Sequence, residues 1–132
     1  MQAVNAPAAL QGQRGFGDED PFDYVLDTSL TANQRKTDGI DIDADSDFMA
    51  RGLYIAAATG AFKIQFADSR QYFVSNVGIA SQNLSTDAAA PYPLYPELPL
   101  PANGRIQIIL EDTSGNPNTI QLVFRGAKRW KR

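Results

Sequence analysis

Arg105-Ile106-Gln107-Ile108-Ile109-Leu110-Glu111, then Thr113-Ser114-Gly115-Asn116-Pro117-Asn118, then Ile120-Gln121-Leu122-Val123-Phe124-Arg125 decide the fold class. Ile106, Ile108 and Leu110 share one face of an extended segment, and Ile120, Leu122 and Phe124 share one face of the next, the period-two pattern of strands that cover a core. The polar, Gly- and Pro-bearing stretch between them reads as the turn of a hairpin. An all-β chain follows.

Working outward, the same alternation opens at Phe22, with Phe22, Tyr24, Leu26, Thr28 and Leu30 on one side and Asp23, Asp27 and Ser29 on the other, a first long strand. Residues 31–39 form a polar connection ending in the turn-forming pair Asp38-Gly39. Ile40 and Ile42 suit a short edge strand, whose neighbouring aspartates discourage unwanted pairing. Phe48 to Ala58 reads as a strand despite its alanines, because Gly52 and the β-branched and aromatic members disfavour a helix. Phe62, Ile64 and Phe66 alternate with Lys63 and Gln65, and Gln71 to Asn76 supplies a further strand, so three segments joined by short turns predict a meander.

Two regions depart from this pattern. Residues 1–20 are rich in Ala, Gln and Gly, with Leu10 and Phe16 as anchors, and cannot bury enough apolar surface to offset about 1 to 2 kcal/mol of backbone ordering per residue. They read as a flexible N-terminal arm. Residues 81–104 contain Pro91, Pro93, Pro96, Pro99 and Pro101, which oppose sheet pairing and impose extended geometry. This reads as a long proline-rich connection whose Tyr92, Leu94, Tyr95, Leu98 and Leu100 lie against a surface. The expected organisation is an arm over 1–20, one β domain over 21–127 and a basic tail over 128–132. A chain of 132 residues has room for one core.

Composition narrows the chemistry. The chain has neither cysteine nor histidine, which removes disulfides, thiolate nucleophiles, histidine general bases and the usual transition-metal sites. No Gly-rich phosphate loop or nucleophile elbow is present, and no enzymatic activity, cofactor or metal is expected. Asp38 to Asp47 spaces carboxylates like a calcium loop, but from Asp43 the sixth and twelfth positions are Phe48 and Tyr54 in place of glycine and glutamate, so a solvated acidic edge is the better reading. Glu97 and Glu111 could form a hydrolytic pair only if a cleft held them together, and both sit where surface acids belong. Twelve basic against fifteen acidic residues give a net charge of -3, without the basic surface that nucleic acid requires. Lys128, Arg129, Lys131 and Arg132 read instead as a solvated terminus or an anchor to an acidic protein patch, and Trp130 between them as an interface or edge-of-core aromatic. No apolar run approaches the roughly 20 residues that span a bilayer, and no secretory leader is apparent, so a soluble product made in the cytoplasm is expected, with no membrane partner.

Leu98-Pro99-Leu100-Pro101-Ala102-Asn103-Gly104-Arg105-Ile106, with Ile109-Leu110-Glu111-Asp112 and Asn118 to Arg129, resembles small β-sandwich virion proteins of tailed bacteriophages, in particular jelly-roll capsid cement, or decoration, proteins. The resemblance covers the last forty or so residues and, beyond them, the general plan. It implies a β-sandwich of jelly-roll type on the capsid exterior that binds and bridges subunits of the major capsid protein and assembles with copies of itself. The contact residues expected on this reading are Leu10, Phe16, Tyr92, Tyr95, Lys128, Arg129, Trp130, Lys131 and Arg132. A tail or adsorption-apparatus protein is the alternative, with Tyr92, Tyr95 and Trp130 as a platform for carbohydrate.

Overall fold

The computed structural model describes residues 19–68, 70 and 73–130. Leu10, Phe16, Lys131 and Arg132, most of the arm and part of the strand expected over residues 71–76 lie outside this range. Among the described residues there are eight strands, β1 (Glu19–Leu30), β2 (Arg35–Asp41), β3 (Ser46–Ala58), β4 (Phe62–Ala67), β5 (Ile79–Ala80), β6 (Tyr92–Leu100), β7 (Arg105–Asp112) and β8 (Asn118–Trp130), with a 3-10 turn at Ser81–Asn83. They form two antiparallel four-stranded sheets, ordered β1-β8-β3-β6 and β2-β7-β4-β5. Side chains of both sheets meet in one core, the arrangement of a β-sandwich. Every connection except β4–β5 passes from one sheet to the other.

The period-two reading holds: Ile106, Ile108, Leu110, Ile120, Leu122 and Phe124 are all buried, and Phe66 of one sheet meets Phe124 of the other edge-on at 5.4 Å. The pairing read from it does not. β7 pairs with β2 and β4, and β8 with β1 and β3, so the expected hairpin is a corner between sheets, with the two apolar faces opposed. The meander fails for the same reason. β3 and β4 lie in different sheets, and beyond Ala67 only an isolated bridge to Phe73 continues it. Alternation specifies which face is inward; it does not specify which neighbour supplies the hydrogen bonds.

Three boundaries also move. β1 starts at Glu19, inside the expected arm, because Glu19 and Asp20 have partners on β8. Asp38-Gly39 belongs to β2 rather than to a turn, since Gly39 leaves the space over which the Arg105 guanidinium lies; the turn proper tightens to residues 31–34, with Asn33 at a φ of 60°. The proline-rich connection is in part a strand: β6 pairs with β3 at Tyr92, Pro93 and Leu98 to Leu100. It is an edge strand of its sheet, a position where a residue without an N–H leaves no ladder bond broken in the interior.

The sandwich has two distinct ends. At one, Asp112 ties together the β1–β2 and β7–β8 connections: its carboxylate accepts hydrogen bonds from the Asn33 N–H at 2.8 Å, the Ser114 hydroxyl at 2.6 Å, the Gly115 N–H at 3.0 Å and the Asn118 side-chain amide at 3.1 Å. Asn118 in turn donates to the Ala61 carbonyl and accepts from the Thr59 hydroxyl, which brings in the β3–β4 connection. The Ser114 hydroxyl, the Asn33 N–H and the other donors hold the Asp112 carboxyl far below the usual range. The opposite end carries the starts of β1 and β3, the close of β8 and the β2–β3, β4–β5 and β6–β7 connections.

Candidate docking surface

The outer face of the β1-β8-β3-β6 sheet is built in bars across the strands. Pro21, Ala127, Met49 and Pro99 stand in register as an apolar row over all four strands, and Val25, Val123 and Tyr54 form a second over three. Between the two rows, Arg125 binds the Asp23 carboxylate, donates to the Ala88 carbonyl at 2.6 Å and lies over the Tyr54 ring. Across the first row, Glu19 of β1 accepts from its neighbour Arg129 of β8 at 2.7 Å and from Arg51 of β3 at 2.9 Å, while Arg51 donates to Glu97 of β6 at 2.6 Å. One ionic network therefore spans the whole sheet. The two arginines hold the Glu19 carboxyl below its ordinary value, Arg129 contributing most, and Glu97 and Glu19 hold the Arg51 guanidinium above its own.

At the β6 edge the sheet swells. Ala50 pairs with Leu98 and Gly52 with Pro93, so Arg51 alone faces the four residues Leu94 to Glu97. On β3's other side Gly126 is required, because a Cβ there would collide with the Met49 carbonyl. The swelling lifts Tyr95 clear of the sheet at 94% exposure, beside a groove of about 530 Å³ lined by Arg51, Pro93, Leu94, Pro96 and Glu97. An aromatic ring held outward and rimmed by charge is the composition of an interface anchor, since Tyr supplies large contact area at the entropy cost of few torsions.

The other residues expected to make contacts have separate fates. Tyr92 is half-buried and packs against the core. Lys128 is not part of a solvated tail: at 6% exposure it closes the open end of the core, its ammonium bonded to Asp43 at 3.0 Å and Asp45 at 3.2 Å and lying over the Phe22 ring at 4.2 Å. Burial alone would lower its pKa, and the two aspartates more than offset this and hold it above normal. The carboxylates that resembled a calcium loop thus serve a lysine. Trp130, half-buried, donates its indole N–H to Asp20 at 2.7 Å. Arg129 is exposed and sits in the ionic network. Tyr92 pairs with Leu53 and Trp130 with Ser46, seven residues apart on β3 and so roughly 20 Å at the rise of a strand, too far for one sugar platform with Tyr95.

Phe73, Val74 and Val77 were not anticipated. They are exposed in the β4–β5 connection, Val77 at 64%, on the same end as the start of β1. Ser75, Asn76 and Gly78 interrupt the apolar run and are the signal that separates this loop from a strand. Glu97 is spent on Arg51 and lies in the opposite sheet from Glu111, so the two acids flank no common cleft. Among the described residues no group of three or more acids is placed to hold a metal ion, and no helix is long and apolar enough to cross a membrane. No protein-family model matches the chain, and no curated protein matches it.

Proposed function

We propose that the chain is a jelly-roll capsid cement protein that docks on the exterior of a shell of major capsid protein, bridges neighbouring subunits and associates there with copies of itself. The strand order supports the jelly-roll reading: β1-β8-β3-β6 opposite β2-β7-β4-β5, with all but one connection crossing between sheets, matches a two-sheet, eight-stranded double Greek key, an architecture used in viral capsids. The observation that carries the docking role is Tyr95, nearly fully exposed on an edge strand whose charged neighbours are already paired with one another. Docking there desolvates an apolar ring and leaves the ionic network intact. Repetition over a lattice multiplies a modest affinity at each site.

Co-sedimentation of the purified chain with empty shells assembled from the major capsid protein of the same genome tests this. Tyr95→Ala is expected to weaken binding about tenfold or more, in the range of interface anchors, with an unchanged melting temperature. Wild-type protein that stays in the supernatant, or a Tyr95→Ala chain that binds equally well, overturns the docking role.

A further inference from the structure

A second polar site lies on the other sheet. Residues of β2 and β7, the connection before β7 and the end of β4 enclose a cleft of about 510 Å³ lined by Thr37, Asp38, Asp68, Asn103, Gly104, Arg105 and Gln107, within the roughly 300–1,000 Å³ of small-ligand pockets. Its frame is rigid. The Asn103 N–H donates to the Ile42 carbonyl at 3.2 Å, Gly104 donates to Pro101 at 2.9 Å and Ile42 donates to Gly104 at 2.8 Å, with Asn103 at a φ of 64°.

The charges of the cleft are balanced: Arg105 binds Asp41 at 2.6 Å, the buried Asp68 holds Arg70 at 2.7 Å, and Asp38 faces the Lys36 ammonium at 3.8 Å. The uncharged polar groups are not so occupied. Gln34, Gln65, Gln121 and Asn118 all spend their amides on intramolecular hydrogen bonds. Among the described residues no hydrogen bond engages the Thr37 hydroxyl or the Asn103 and Gln107 side-chain amides. A hydroxyl and two amides offer both donors and acceptors, beside a guanidinium stem that supplies an apolar flank. Ion-paired charges give no advantage to an ionic ligand, whereas unspent donors and acceptors suit one that carries many of both. We propose that this cleft binds a neutral saccharide, through hydrogen bonds of Thr37, Asn103 and Gln107 to adjacent hydroxyls of a pyranose ring. The site is independent of the docking role of Tyr95.

The test is a titration of the isotopically labelled chain, followed by its backbone amide signals, with methyl glycosides of glucose, galactose, mannose and N-acetylglucosamine. Saturable shifts are expected at Thr37, Gly104 and Gln107 for at least one sugar. The Thr37→Val/Gln107→Ala double variant is expected to bind about tenfold more weakly or worse, the loss of two hydrogen bonds, while Tyr95→Ala binds normally. Should the double variant fail to fold, Asn103→Gly, which keeps the left-handed backbone and removes the amide, carries the same comparison. Absence of saturable shifts across the panel, shifts centred on Tyr95, or variants that bind as well as the wild type overturn the proposal.

Discussion

The two ends of the sandwich are held by opposite means. At the Asp112 end one carboxylate and one amide gather three connections through partly buried hydrogen bonds, most of them to backbone groups. At the other end, long side chains reach across strands in exposed ion pairs, Lys128 closes the core under two solvated aspartates, and apolar residues of the β4–β5 connection face outward. Hydrogen bonds to fixed backbone groups hold one geometry, whereas exposed ion pairs gain little free energy and adapt readily. The two ends therefore differ in how tightly their connections are tied together.

Breaking the Asp112 hub is expected to have the largest effect. Asp112→Ala leaves the Asn33 and Gly115 N–H groups and the Asn118 amide without their acceptor, and the melting temperature should fall on the order of 5–10 °C. A change within a degree or two would mean that the two ends are equally dispensable.

Acid sharpens the same contrast. A carboxylate whose pKa is depressed on folding stabilises the fold above its unfolded value and gives that stability up as pH falls through its folded value. Both Glu19 and Asp112 are depressed, Asp112 much further. As pH drops below about 4, the ordinary carboxylate range, hydrogen exchange should quicken first near Glu19, Arg51 and Arg129, while the Asn33, Ser114 and Gly115 amides stay protected to lower pH. The reverse order would refute the division of labour.

The smallest expected effect belongs to Arg51→Ala. Although it severs contacts to both Glu19 and Glu97, these pairs are exposed, and denaturant unfolding should register a loss of no more than about 1 kcal/mol.

Much of the strand content was legible because inward and outward positions alternate in the residues themselves. Phe22 to Leu30, Phe62 to Phe66 and both segments around residues 113–118 declare their faces without any partner. The candidate surface was legible only in part. Tyr95 stood out as an apolar residue among prolines, but its exposure depends on four residues of β6 bulging past one of β3, which no local pattern announces. Lys128 and Trp130 read as tail residues because their partners, Asp43, Asp45 and Asp20, are more than eighty residues away in the chain. The cleft around Gln107 joins the contiguous stretch Asn103 to Gln107 to Thr37 and Asp68, which are dozens of residues away in the chain.

Alternation and composition are enough to establish a β protein with one core, to name most of the side chains that fill it, and to exclude histidine and cysteine chemistry. The tertiary structure alone decided that the C-terminal pair of strands faces itself across the core, that a proline-rich segment forms an edge strand, and that a terminal lysine is a plug. Alternation is a property of one strand, whereas sheet membership, burial of a charge and exposure of a ring are set by contacts between segments distant in the chain.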